Sequence, residues 1–137
     1  MPKYVWRSMT DIETLLRETR SIAIVGLSNN PARASYEVAS YLMPYYHVIP
    51  VNPNYENIMG LTGYPDLKSI PVPIDMVDLF QRSENVMPFV RPAIEIGVKC
   101  FWMQLDIQNL QARQQLEAAG ITVVEDKCTK IEHARFF

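Results

Sequence analysis

The stretch Ser21–Leu42, SIAIVGLSNNPARASYEVASYL, constrains the fold more than any other part of the chain. Ile22-Ala23-Ile24-Val25 is a short apolar run rich in β-branched residues, the composition of a strand buried on both faces. Gly26 ends the run, and a polar turn, Ser28-Asn29-Asn30-Pro31, follows. Val38, Ala39 and Leu42 then fall on one face of a helix. Strand, glycine turn and helix in this order form the opening unit of a doubly wound α/β domain. The free N–H groups of such a helix attract an anion, so a phosphate-bearing ligand is expected here.

The same alternation continues along the chain. Residues 1–9 read as an extended arm and 10–137 as one domain. Thr10 with Glu13 has the capping-box pattern, and Ile12, Leu15 and Leu16 mark an amphipathic helix over 11–19. Strand one is expected at 21–26, its helix at 33–43, and Pro44 stops that helix. Strand two is His47–Val51, followed by the turn Asn52-Pro53-Asn54. Segment 55–73, with Gly60, Gly63, Pro65, Pro71 and Pro73, permits little beyond one turn near 66–69. Strand three is Ile74–Phe80. Ser83 is a candidate cap for the next helix, whose start is made irregular by Pro88 and Pro92, and Gly97 ends it. Strand four is Cys100–Met103. Asp106 or Asn109 caps a helix carrying Ala112, Leu116 and Ala119, and strand five is Ile121–Val124. DKCTKIEHARFF is left as a tail. Five strands alternating with helices predict a parallel sheet with right-handed crossovers.

Several function classes fall away on composition. Net charge is −2 and no basic block exists, so nucleic acid and anionic membrane surfaces are not expected partners. No apolar run approaches the ~20 residues of a membrane-spanning helix, and the N-terminus lacks a signal-peptide core. Cys100 and Cys128 do not form a disulfide framework, which points to the cytoplasm.

A dinucleotide fingerprint would show three glycines after strand one and an acid at the end of strand two. This chain has Gly26 alone, and strand two ends in Val51-Asn52-Pro53, which argues against NAD or FAD. No Walker A lysine follows a glycine either. What remains is a turn with a hydroxyl (Ser28), two amides (Asn29, Asn30) and a nearby guanidinium (Arg33), a set suited to a pyrophosphate. The alternative is a plain helix-capping turn with a solvated arginine.

GLSNNPAR-S-Y-VA-YL, VIPVNP, VDLFQRSENV, WMQLDI and DKCTKIEHAR, in this order, resemble the small stand-alone CoA-binding proteins. Their domain is similar to the N-terminal domain of the succinyl-CoA synthetase α subunit, and the resemblance covers residues 10–137. It implies a Rossmann-like fold that binds coenzyme A at the carboxyl ends of the strands. It would place the phosphates on Gly26, Leu27, Ser28 and Arg33, and the nucleotide near Val51, Asn52 and Pro53. It would set Phe80 against adenine and Arg82 at a phosphate, with Trp102, Met103 and Gln104 beside the pantetheine arm. Two departures stand out. The family's Arg-Arg-Pro run is Gln81-Arg82-Ser83 here, which leaves one phosphate contact open. Its glycine after W-M-Q-L is Asp106, a change expected to alter that turn. The synthetase's second domain and phosphorylated histidine loop are missing, so ligase activity does not carry over.

The remaining candidates are weaker. Cys128, beside Lys127, Lys130, Glu132 and His133, reads first as a structural thiol in an ordered tail, with a reactive thiol towards CoA as the alternative. Cys100 reads as strand packing, His133 as a hydrogen-bonded structural residue, and His47 as a surface or edge residue. A metal site lacks ligands beyond Cys128 and His133. Asp75 and Asp78 are three apart in a strand, hence on opposite faces and not a carboxylate pair. The expected function is therefore binding of coenzyme A or an acyl-CoA without catalysis. The alternatives are an acyl-CoA enzyme using Cys128 or His133, a regulatory protein that changes shape with CoA, and an NAD(P)-dependent oxidoreductase.

Overall fold

The computed structural model describes residues 9–137, so the expected arm over 1–9 lies, Met9 apart, outside the described residues. The chain runs α1 (Met9–Glu18), β1 (Ser21–Val25), α2 (Ala34–Leu42), β2 (His47–Val51), β3 (Asn57–Ile58), β4 (Leu61–Thr62) and β5 (Met76–Leu79). It continues as α3 (Val90–Ile96), β6 (Cys100–Met103), α4 (Leu110–Ala118), β7 (Thr122–Val124) and α5 (Thr129–Phe136). Thr10 lies inside α1 rather than at its cap.

Five strands form one parallel sheet in the order β2-β1-β5-β6-β7. The strands are largely apolar because helices cover both faces. Ala23, Val25, Val77, Leu79, Phe101 and Met103 pack on one face with Val90 and Ala93 of α3 and Ala112 and Leu116 of α4. Ile22, Ile24, Met76, Cys100 and Trp102 pack on the other with Ile12 and Leu16 of α1 and Val38, Ala39 and Leu42 of α2. This is the expected doubly wound α/β architecture.

Local departures have local causes. Segment 55–73 holds a small antiparallel hairpin, β3–β4, which its glycines and prolines concealed. The start of α3 is irregular, as Pro88 and Pro92 dictate, and consists of two 3-10 turns at Ser83–Asn85 and Met87–Phe89. Ser83 caps nothing; its hydroxyl accepts from Gln108 N–H at 3.0 Å and so ties this loop to the one after β6. Of the two candidate caps for α4, Asn109 serves, accepting from Ala112 N–H. Gly97 closes α3 in the left-handed conformation, φ 76. The largest difference is the tail, which forms α5. Its buried face carries Thr129, Glu132 and His133, a polar set with no apolar periodicity to announce a helix.

Candidate functional site

The chain leaves β1 to build β2 on one side, then returns to build β5 on the other. The carboxyl ends of β1 and β5 therefore mark the topological switch point, where open α/β sheets leave a crevice. Gly26 follows β1 there with φ 83, and a Cβ on it would lie 2.3 Å from the Phe80 carbonyl oxygen. Only glycine lets the two chain segments pass this closely. Gly26 N–H donates to the Val51 carbonyl at 2.9 Å, and the Asn52 amide donates to the Leu27 carbonyl at 3.0 Å, so β2 buttresses the turn. Ser28 N–H donates to Ser35 Oγ, Ser28 Oγ accepts from Asn30 N–H, and Asn30 Oδ1 accepts from Ala32 N–H, each at 3.0 Å. Arg33 stands at the N-cap of α2 with no capping bond from its side chain, and its side chain is exposed. Helix dipole and guanidinium thus give the same sign of field. The resulting cleft, about 380 Å³, is lined by Gly26, Ser28, Arg33, Ser35, Asn52 and Tyr55, among others.

A second cleft of about 600 Å³ adjoins it, and Ala34 and Phe80 line both. Its walls are mainly apolar: Val38 from α2, Leu105 and Ile107 from the loop after β6, and Cys128 at the N-cap of α5. Arg82, Asn85, Asp106 and Gln104 supply its polar atoms. Asp106 adopts φ 68, the left-handed conformation that glycine takes without strain, and its N–H donates to Asp126 Oδ1 at 2.7 Å. The aspartate thus occupies a glycine-type position in the turn.

Beneath this cleft lies a buried polar group. Asp78 points to the Met76 face of β5, between Ile24 of β1 and Trp102 of β6 in register, and has no solvent exposure. That burial pushes its carboxyl up to about 7, opposed by the hydrogen bonds it receives. Gln104 Nε2 donates to Asp78 Oδ1, and Thr129 Oγ1 donates to Asp78 Oδ2 at 2.9 Å. Gln104 Nε2 also donates to Thr129 Oγ1 at 2.8 Å.

Of the residues singled out in sequence, Gly26, Ser28, Arg33, Asn52 and Phe80 converge on the polar cleft. Phe80, Arg82 and Gln104 converge on the apolar one. Leu27, Val51 and Met103 point into the core, which leaves only their backbone for a ligand. Asn29 and Pro53 are exposed and line neither cleft. Trp102 is buried, its indole N–H donating to the Lys127 carbonyl at 2.7 Å. Asp75 and Asp78 are apart, as expected; Asp75 accepts from the N–H groups of Arg20 and Ser21. Sequence reasoning missed Asp78 and Thr129, and with them the place of Cys128 in a cleft wall. An acid inside the run Val77–Phe80 was the signal for Asp78; nothing local announced Thr129.

Cys100 is buried, and burial pushes its thiol up. His133 is 1% exposed, and burial pulls its pKa down. Its ring stacks on Phe137 at 4.2 Å, contacts Tyr45 and Tyr46, and shares a 2.9 Å hydrogen bond between Nδ1 and the Tyr41 hydroxyl. It lines neither cleft and serves to dock α5. Among the described residues, no helix is long and apolar enough to cross a membrane, and no three His, Cys, Asp or Glu side chains gather as metal ligands would.

The family model of the CoA binding domain matches residues 20–134. Among curated proteins, the chain is 37% identical over 128 residues to an uncharacterised protein, YneT, of Bacillus subtilis (strain 168), covering 93% of this chain and 95% of that one. It is 34% identical over 82 residues to the α subunit of ADP-forming acetate–CoA ligase II of Pyrococcus furiosus, covering 58% of this chain but only 18% of the subunit. Among solved structures, a hypothetical protein from Pyrococcus horikoshii OT3 superposes with a TM-score of 0.92 at 37% identity, covering 94% of this chain and 92% of that one.

Proposed function

This chain belongs to the CoA-binding domain family, and from that premise we propose that it binds coenzyme A or an acyl-CoA along the carboxyl edge of its sheet. The observation that carries the reading is the change of character across Phe80. On one side lies a turn with a helix N-terminus and Arg33, fit for phosphates. On the other lies a larger apolar cleft, fit for a long uncharged arm. Coenzyme A has this division: an adenosine bisphosphate unit and pyrophosphate at one end, and pantetheine with its thiol at the other. In this pose Gly26, Ser28 and Arg33 hold phosphate, and Asn52 and Phe80 flank the nucleotide. Gln104 meets the arm, and Cys128 stands at the thiol end.

The protein acts as a binding module. Of the two groups considered for chemistry, Cys128 lines the cleft, whereas His133 is committed to Tyr41 and the rings around it. A free-thiol protein with such a ligand suits the reducing cytoplasm.

A thermal-shift titration with CoA, acetyl-CoA, NAD, NADP and ATP tests the reading. Coenzyme A at ~100 times its dissociation constant should stabilise the fold by roughly 2.7 kcal/mol. Arg33→Ala should weaken that binding roughly tenfold to a hundredfold, one charged hydrogen-bonding group being worth roughly 1.5–3 kcal/mol, and leave the unliganded melt unchanged. A shift with NAD or NADP and none with CoA would overturn it.

A further inference from the structure

We propose that Asp78 and Thr129 are positioning residues that fix Gln104 as a hydrogen-bond acceptor towards the apolar cleft, so that the site selects a ligand arm offering an amide N–H. The proposal rests on the coenzyme reading above and adds to it which atom the protein presents, and why.

A carboxamide carries two N–H donors and one acceptor oxygen. Gln104 spends both donors inward, one on Asp78 Oδ1 and one on Thr129 Oγ1 at 2.8 Å. The Thr129 proton is itself directed, since Oγ1 donates to Asp78 Oδ2 at 2.9 Å, so this hydroxyl is free to accept only from Gln104. Above about pH 7, where Asp78 is ionised, the three groups form a closed ring in which every proton has one assignment. With Asp78 ionised, flipping the amide would set Gln104 Oε1 against a carboxylate oxygen with no proton between them, which a buried site does not tolerate.

What the ring leaves over is Oε1. Gln104 is 4% exposed and lines the apolar cleft. Among the described residues no side-chain oxygen or nitrogen is both sealed from solvent and unpaired, and none of those residues donates to Oε1, so its lone pairs open into the cleft. In this mainly apolar cleft an oriented acceptor at Gln104 favours an arm that brings an N–H to that point and disfavours one that brings a carboxylate or phosphate oxygen to it. Each amide of pantetheine brings such an N–H.

Asp78 and Thr129 come from the central strand and the last helix, so the orientation of Gln104 also depends on α5 being docked. Ser would keep the hydroxyl of Thr129, whereas Val would keep its shape alone.

Calorimetric titration at about pH 8, where Asp78 is ionised, separates this role from a merely structural one with two probes: coenzyme A, and adenosine bisphosphate, the nucleotide end without its arm. Gln104→Met and Thr129→Val should each weaken coenzyme A roughly fivefold to tenfold, the worth of one neutral hydrogen bond. Adenosine bisphosphate should bind both variants as it binds wild type, and Thr129→Ser should bind coenzyme A as wild type does. Equal weakening of both probes, or wild-type coenzyme A affinity in Gln104→Met and Thr129→Val, would overturn the proposal. A wild-type protein that binds adenosine bisphosphate but gains nothing from the arm would overturn it as well. One that binds neither probe would overturn the coenzyme reading and this proposal with it.

Discussion

The two clefts that meet at Phe80 are built by opposite means. The polar one is largely a backbone object, made by the turn after β1, the first turn of α2 and the Asn52 brace, all bonded to one another within short reach. The apolar one is a side-chain object, gathered from α2, the loops after β5 and β6, and the cap of α5. A backbone site depends on conformation, and one wrong Cβ destroys it. A side-chain site depends on assembly, and single changes should retune it.

Gly26→Ala should break the comparison most violently. The methyl group would need a left-handed conformation and would meet a backbone oxygen at 2.3 Å, so a loss of at least about 3 kcal/mol is expected in denaturant unfolding. An unfolding midpoint near wild type would mean that the turn can open without harm.

Asp78→Asn should act by pH. Folding raises this carboxyl from an ordinary 3.8 to about 7, so the folded chain holds a proton that the unfolded chain has already released between those values. Stability from this group is therefore present below the lower value, falls as pH rises between the two, and is level above. The melting temperature of wild type minus that of Asp78→Asn should decline across that window. A flat difference would show that Asp78 is charged throughout.

Thiol labelling should separate the two cysteines more gently. Cys128 is partly accessible in the apolar cleft and should react with Ellman's reagent in the native state, whereas Cys100 should react only in denaturant. Bound coenzyme A should slow Cys128 several-fold; unchanged labelling would place the arm elsewhere.

The smallest effect belongs to Asp106→Gly, which relieves the left-handed strain at φ 68 at the expense of chain entropy. A gain of no more than about 1 kcal/mol in thermal unfolding is expected, and a clear loss would mean that the Asp106 side chain holds the turn.

What could be read in advance follows the same division. Five apolar runs and their glycine and proline punctuation carried the sheet, because strand burial is a local pattern. The polar cleft was legible for the same reason: Gly26, Ser28 and Arg33 lie within one turn of chain, and Asn52 closes the next strand. Thr129 was not legible as a site residue, and Cys128, a candidate thiol in sequence, could not be placed in a cleft wall, since α5 buries Thr129, Glu132 and His133 rather than an apolar stripe. Its docking is encoded by partners far away in sequence, in Tyr41, Tyr45 and Asp78.

That last helix also has a consequence for the order of events as the chain is made. Every strand of the sheet leaves the ribosome before Thr129 does, so the strands alone cannot give Asp78 its hydroxyl donor. Until α5 docks, nothing in the strands fixes which face of Gln104 turns outward. Arrival of α5 closes the ring and, in one event, shuts water away from Asp78 and supplies the wall that holds Cys128. Synthesis thus delivers every strand of the sheet before the apolar cleft can close, and competence to hold a ligand arm waits on α5 rather than on the last strand of the sheet.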